Sequence, residues 1–221
     1  NMVHSLFCAS SEFNDDLIIS YSDIIYSPKI LKKLIDSHHP ISLAIDLKWR
    51  ELWEIRMENI ISDVETLKMT SKGTVSEIGQ KPEVLSEIEG QYIGLISVRK
   101  NSVKVFENLY SHIENKKING RNRSNIFMTD FLQEIINSGI DIFAEKFYGG
   151  WVEIDSISDI SLYNENLHKI PSLKWSSFHD PVVQIAVDAG KAIMKYFGHI
   201  EVESIKVDDS PLTKADLRAN E

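Results

Sequence analysis

The chain has 221 residues, of which 43% are hydrophobic and 26% charged, as is ordinary for a globular protein. Its net charge is −9 and it has neither a long basic run nor an apolar run long enough to cross a bilayer, so we expect no nucleic acid or membrane partner. The single cysteine, Cys8, excludes an internal disulfide and a cysteine zinc cluster, and it suits a cytoplasmic location.

The first part of the chain predicts alternating helices and strands. Residues 2–13 have the spacing of a short amphipathic helix, and 16–27 form a near-continuous apolar run typical of a buried parallel strand. A helix follows over 27–39, with Ser27 as its N-cap and a proline at its first position. Residues 41–46 predict a second buried strand. This order favours an α/β sheet with right-handed crossovers.

The pattern then becomes mixed. The prediction is a hairpin over 64–79, strands over 90–100 and 140–155, and helices over 101–114, 128–138 and 156–167. Residues 168–178 break the pattern and predict a linker, and 180–198 predict a further amphipathic helix that ends at a glycine.

Two aspartates stand where strands are predicted to end. Asp23 follows the first apolar run, at the edge where open α/β sheets bind ligands. Asp155 follows a later strand, on the same face as Glu153. Alone, Asp23 is also typical of a turn or helix cap and Asp155 of a surface residue. Together they predict a Mg²⁺ site that uses one or two carboxylates and substrate phosphates.

Other side chains have a functional and an ordinary interpretation. Lys81 lies between a strand and a proline, which suits either a phosphate partner or plain solvent exposure. The aromatic residues Trp49, Trp53, Trp151 and Tyr92 suit either a cage for a quaternary ammonium or the hydrophobic core.

Five segments together resemble one family of enzymes. The segments "DLIISYSDIIY", "ISLAID…W…W…R", "VSEIGQKP", "EGQYIGLISV" and "GGWVEIDSISDI" occur in the order found in nucleotidyltransferases that include phosphocholine cytidylyltransferases and sugar-phosphate nucleotidyltransferases. The resemblance covers residues 1–167. It implies a Rossmann-like domain that transfers a nucleotidyl group from an NTP, such as CTP, to a phosphate monoester and releases pyrophosphate.

The same resemblance implies roles for individual residues. Asp23 and Asp155 would bind Mg²⁺, Lys81 would contact the acceptor phosphate, and Glu89 and Tyr92 would lie near the acceptor. The acceptor would be phosphocholine, a phosphonate or a sugar phosphate.

Two departures from the family pattern are visible. Ser22 stands where the family usually has glycine, and the glycine-rich loop that cradles the NTP is absent from the sequence. We therefore expect that loop upstream of Asn1, and a fragment that is inactive alone.

The segment 179–221 resembles the opening of the inositol monophosphatase superfamily, in its 3′(2′),5′-bisphosphate nucleotidase branch. The motif "KVDDSPLTKAD" carries the resemblance, which implies that Asp216 orients water at a Mg²⁺ site, with Thr213 beside it. The alternative is a turn and a helix start capped by Thr213.

The expected architecture is α/β: a Rossmann-like mixed sheet without its first βαβ unit over 1–167, a linker over 168–178, and the beginning of a phosphatase domain over 179–221. The expected function is a nucleotidyltransferase fused to a phosphatase. The alternative is a non-catalytic nucleotide-binding or regulatory module attached to a phosphatase.

Overall fold

The structure, a computed structural model, describes residues 2–166 and the backbone of two short strands, Val202–Ile205 and Pro211–Thr213. The chain divides into two compact units, Asn1–Leu173 and Lys174–Glu221. The linker predicted over 168–178 and the helix predicted over 180–198 lie outside the described residues. None of the described helices is long and apolar enough to span a membrane.

The elements of the first unit, in chain order, are α1 (Met2–Cys8), β1 (Leu17–Ser20), β2 (Ile24–Tyr26), α2 (Pro28–Asp36), β3 (Ile41–Asp46), α3 (Trp49–Arg56), β4 (Leu67–Met69), β5 (Val75–Ile78), β6 (Gln91–Val98), α4 (Lys100–His112), α5 (Met128–Asn137), β7 (Phe143–Phe147), β8 (Trp151–Glu153) and α6 (Ile157–Asn166). In the second unit, β9 (Val202–Ile205) and β10 (Pro211–Thr213) form an antiparallel pair.

The main sheet of the first unit is mixed, as the sequence predicts. Its strand order is β1-β6-β3-β7. Strand β3 pairs in parallel with β7, whereas β6 runs antiparallel to both β1 and β3. The helix α2, the buried strand β3, the hairpin β4–β5 and the strand β6 are all confirmed. Ser27 caps α2 by accepting the Lys29 N–H, with Pro28 at the first helical position.

Two hydrophobic cores cover opposite faces of the sheet. Alternate residues of β3 belong to different cores: Leu43 and Ile45 pack with α1, α4 and α5, while Ala44 packs with α2, α3 and α6. Strand β6 alternates in the same way, which is what the period of a strand requires when helices cover both faces. The second core also holds β8, and it therefore supports the segment that carries Glu153 and Asp155.

The predicted single buried strand over 16–27 is wrong. The run divides into β1, at the edge of the main sheet, and β2, which pairs antiparallel with β8 in a separate two-stranded ribbon. Strand β1 is antiparallel to its neighbour and alternates between half-buried and exposed residues. Its apolar side chains resemble a buried strand in composition, but Ile18 is 41% exposed.

The chain leaves the main sheet at Tyr21 because of the shape of β6 beside it. The Tyr21 N–H donates to the Gly94 carbonyl oxygen at 2.9 Å, and the register of β6 against β3 shifts at this position. Gly94 has φ +81°, and a Cβ there would lie 2.4 Å from the Tyr21 ring. Only glycine combines this backbone conformation with such close contact.

The strand predicted over 140–155 also divides in two, into β7 and β8. Gly149 (φ 66°) and Gly150 (φ 90°) both adopt the left-handed backbone region that glycine favours, and they redirect the chain between the strands. The Ser27 N–H donates to the Gly150 carbonyl oxygen at 2.8 Å, which fixes the start of the ribbon β2–β8.

Candidate active site

The ribbon β2–β8 brings together two aspartates that are far apart in the sequence. Ile24, the first residue of β2, pairs with Glu153, the last residue of β8. The Ile154 N–H donates to the Asp23 carbonyl oxygen at 2.8 Å. Since the strands are antiparallel, the residue before β2 lies beside the residues that follow β8. The predicted meeting of Asp23 and Asp155 is therefore found, although Asp23 precedes an antiparallel strand and does not end a parallel one.

Three carboxylates meet at this point. Oxygen atoms of Asp23, Glu153 and Asp155 all lie within 4.8 Å of one another. Asp23 and Asp155 are exposed and Glu153 is half-buried. Burial raises the pKa of Glu153, and a hydrogen bond from Arg56 opposes this shift. A set of hard oxygen ligands in one small space fits Mg²⁺ better than a softer metal. We call these three residues the acidic cluster.

Arg56, the last residue of α3, contacts two members of the acidic cluster. One guanidinium N–H group donates to Glu153 at 2.9 Å and another donates to Asp155 at 2.5 Å. Asp23 makes no hydrogen bond or ion pair with its side chain among the residues that the structure describes.

The start of α6 holds the backbone around Asp155. The Asp159 carboxylate accepts the N–H of Asp155 at 2.9 Å and the N–H of Ser156 at 2.8 Å, as a residue in the first turn of a helix commonly does. Further along α6, the Tyr163 hydroxyl donates to the Glu153 carbonyl oxygen at 2.7 Å. The positions of Glu153 and Asp155 thus depend on both α3 and α6.

Another acidic residue, Asp46, supports the start of the segment that carries Glu153 and Asp155. Asp46, at the end of β3, is 1% exposed. Its carboxylate accepts the N–H of Lys48 at 2.8 Å, the N–H of Gly149 at 2.7 Å and the Trp151 indole N–H at 2.8 Å. Burial raises the pKa of Asp46, and these three hydrogen bonds oppose the shift. Asp46 therefore connects the main sheet to β8.

A cleft of about 550 Å³ opens beside Asp23. Residues 19–23 form one wall, and α1 with Met128 at the start of α5 forms another. The Tyr21 ring lies edge-on to the buried Tyr92 ring, with 5.9 Å between their centroids. The cleft has the volume that small-molecule sites usually have, and a member of the acidic cluster stands in its wall.

The other predicted site residues lie in different surroundings. The Lys81 ammonium group donates to the carbonyl oxygens of Ile61 (2.8 Å) and Ser62 (2.5 Å), and the structure shows no contact between Lys81 and the acidic cluster. The Glu89 carboxylate accepts the Met69 N–H at 2.7 Å.

Two predicted residues belong to the second unit. Thr213 is the last residue of β10, whose side chains are not described. Asp216 lies outside the described residues.

Trp49, Trp53 and Trp151 belong to the hydrophobic core and form no open cage. Trp49 is 5% exposed, and Trp53 and Trp151 are each 2% exposed. Trp53 contacts both of the others, with ring centroids 6.3 Å and 5.9 Å away. Trp49 packs edge to face against Trp53, and Trp151 packs against Trp53 at a tilt of 47°, so these buried rings stabilise the support of the site and do not form an open cage.

Comparison with known proteins shows the family of the chain through one relative and its fold through solved structures. No protein-family model matches the chain. The chain is 37% identical, over 172 residues, to the CTP:phosphoglutamine cytidylyltransferase of Campylobacter jejuni, and the match covers 75% of this chain and 68% of that protein. This chain belongs to the nucleotidyltransferase family. The nucleotidyltransferase also shares its fold with the solved inositol-1-phosphate CTP transferase of T. maritima, with a TM-score of 0.55 and 16% identity, over 78% of this chain and 62% of that one.

Sequence reasoning missed part of this candidate site. It placed Glu153 on the face of Asp155 but gave it no role, and it gave none to Arg56 or Asp46. A signal existed for Asp46, because an aspartate at the end of an otherwise apolar strand needs hydrogen-bond donors. No local signal places Arg56, since its two partners are 97 and 99 residues away along the chain.

Proposed function

We propose that this chain carries the acceptor side and the metal site of an enzyme that transfers a cytidylyl group from CTP to a small phosphorylated acceptor. The proposal rests on the acidic cluster, in which three carboxylates lie within 4.8 Å of one another beside a cleft of about 550 Å³. The curated relative, whose name specifies CTP and phosphoglutamine, supports the choice of nucleotide and makes phosphoglutamine the first acceptor to test.

Asp23 and Asp155, with Glu153 beside them, would hold Mg²⁺. Bound there, the ion would neutralise charge on the phosphates as the reaction proceeds. An oxygen of the acceptor phosphate attacks the α-phosphorus of the nucleotide in line with the leaving group. The bond from that phosphorus to the bridging oxygen breaks, and pyrophosphate leaves with the electron pair. The described residues contribute by placing the carboxylates and by shaping the wall of the cleft.

Lys81 would contact the phosphate of the acceptor, and the segment with Glu89 and Tyr92 would lie near the acceptor. The present contacts of Lys81 are to two backbone carbonyl oxygens on an exposed turn, so it would have to exchange them for a phosphate. Tyr92 would act through Tyr21, because Tyr92 is buried and Tyr21 lines the cleft.

Pyrophosphate release tests the proposal. The full-length protein is incubated with Mg²⁺, CTP and, in turn, phosphoglutamine, phosphocholine, a phosphonate and a sugar phosphate, and each reaction is repeated with ATP, GTP and UTP. We expect release with CTP and one acceptor class. Asp23→Asn and Asp155→Asn should each lower turnover about 100- to 1,000-fold, since a metal contributes several kcal/mol to such a reaction and each 1.36 kcal/mol is tenfold. Unchanged turnover in either variant contradicts the metal role.

A non-catalytic nucleotide-binding module attached to a phosphatase is the alternative function. Ser22, which replaces the usual glycine beside Asp23, is the observation that favours it. One measurement distinguishes the enzyme from the module. The module binds CTP with Mg²⁺ but releases no pyrophosphate with any acceptor.

The phosphatase assigned to 179–221 stays a prediction, carried by the motif that contains Thr213 and Asp216. Phosphate release from 3′-phosphoadenosine 5′-phosphate by the complete protein, and its loss with lithium, would test it.

A further inference from the structure

Arg56 is buried at the back of the acidic cluster. Only 1% of its side chain is exposed, although it carries a permanent charge. Its carboxylate partners are more open, with 26% of the Glu153 side chain and 55% of the Asp155 side chain exposed. The guanidinium thus contacts the cluster from the protein side, while the carboxylates face solvent on the other side.

The burial of Arg56 has a cost that packing alone does not explain. Its Nε–H group is buried and has no hydrogen-bond partner within the described part of the chain. Its guanidinium carbon lies 5.4 Å from the centre of the Trp53 ring, a neutral neighbour on the same helix. A site shaped only for stability would not keep a desolvated cation with an unmatched donor. The desolvation cost is offset mainly by the ion pairs with Glu153 and Asp155, and to a smaller extent by the cation–π contact with Trp53.

The hydrogen bonds of Arg56 leave part of each carboxylate available. They engage one oxygen of each, Oε2 of Glu153 and Oδ2 of Asp155. The second oxygen of each takes no hydrogen bond from Arg56. Two separate donors of one rigid, planar group therefore fix the direction of two carboxylates at once, which a lysine could not do.

The charges also favour a cation in the cluster. Three carboxylates and one guanidinium leave two negative charges when all four groups are ionised. Asp23, which Arg56 does not contact, would be repelled by the other two acids unless a cation lay between them. A divalent ion matches this remaining charge.

We propose that Arg56 is a positioning residue, which holds Glu153 and Asp155 from the buried side so that both direct a free oxygen toward the ion that Asp23 also binds. This inference rests on the proposed metal site. Residues that hydrogen-bond to metal ligands commonly change metal affinity 10- to 100-fold when they are replaced.

Binding of Mn²⁺, followed by the electron paramagnetic resonance signal of the free ion without nucleotide, tests the inference. Arg56→Gln should raise the Kd for Mn²⁺ about 10- to 100-fold. Arg56→Lys keeps the positive charge but loses the planar pair of N–H donors, and it should raise the Kd for Mn²⁺ by less. In turnover assays of the full-length protein, an Arg56 variant should need a higher Mg²⁺ concentration for half-maximal rate. This concentration should rise by a larger factor than the factor by which the maximal rate falls.

Arg50→Gln is the matched control, because Arg50 lies on the same helix and pairs with Glu54 at the surface. It should leave the Kd unchanged. Thermal unfolding of each variant identifies a folded sample, and Arg56→Lys decides the test if Arg56→Gln does not fold. An unchanged or tighter Kd in the folded Arg56 variant overturns the inference. Asp23→Asn separates the two proposals, since an unchanged Kd in that variant instead refutes the metal site itself.

Discussion

Carboxylates lie at both ends of the segment from Gly149 to Asp155, and the hydrogen bonding of these carboxylates differs between the two ends. At one end Asp46 is buried and accepts three N–H groups from uncharged donors. At the other end Asp23, Glu153 and Asp155 crowd one another, and only Glu153 and Asp155 pair with Arg56. Full hydrogen bonding is typical of a carboxylate that holds a fold together. Crowded like charges with free oxygens are typical of a site that binds a cation.

Asp46→Ala should give the largest change in stability. The substitution leaves one buried and two part-buried N–H groups without an acceptor, and a buried group left so costs about 1–3 kcal/mol before the structure relaxes. We expect the free energy of unfolding, measured by urea denaturation, to fall by about 3 kcal/mol or more.

Asp36→Ala provides the control for that measurement. Asp36 pairs with Lys32 one helical turn away, and 58% of its side chain is exposed. Its replacement should change the free energy of unfolding by less than about 0.5 kcal/mol. If the two variants lose similar stability, Asp46 does not have the structural role assigned to it.

The contrast between the two ends was only partly predictable. The sequence predicted that Asp23 and Asp155 meet, because both follow apolar, β-branched runs. It did not predict how they meet, since composition does not say which strand a segment pairs with. The run over 16–27 belongs to two strands in different sheets, and the change depends on Gly94, more than 70 residues later in the sequence.

Elements defined by neighbouring residues were predicted more accurately. The start of α2 depends on Ser27 and Pro28, and the hairpin β4–β5 on a short polar turn, so local chemistry is enough. The supports of the acidic cluster depend instead on contacts across the chain. Arg56 and Asp46 reach their partners only after α3, β8 and the glycine turn are in place.

Asp23→Asn should separate function from stability. The side chain is exposed and has no hydrogen bond or ion pair among the described residues. Its replacement therefore removes the repulsion from Glu153 and Asp155 and breaks no stabilising contact. We expect the free energy of unfolding to stay within about 0.5 kcal/mol of the parent protein, or to rise slightly, while turnover falls. A large loss of stability would mean that Asp23 resembles Asp46 and not a metal ligand.

The smallest effect concerns Asp16, an exposed carboxylate that accepts two hydrogen bonds where the buried Asp46 accepts three. The Lys100 N–H donates to it at 2.7 Å and the Arg99 guanidinium at 2.6 Å. These two hydrogen bonds, the backbone one first, hold the pKa of Asp16 below its ordinary value of 3.8, whereas burial raises the pKa of Glu153. Asp16 thus loses its proton more readily in the folded chain than in the unfolded chain.

Its contribution to stability is therefore present above the unfolded pKa and is lost as the pH falls through the folded pKa. Asp16→Asn should be less stable than the parent protein at neutral pH, and the difference should shrink below pH 3.8, the ordinary pKa of this carboxyl group. Thermal unfolding of both proteins across this range, with a carboxyl ¹³C titration of Asp16, measures the effect. A difference that is the same at every pH would show that hydrogen bonding to the ionised form does not distinguish Asp16 from the crowded acids of the site.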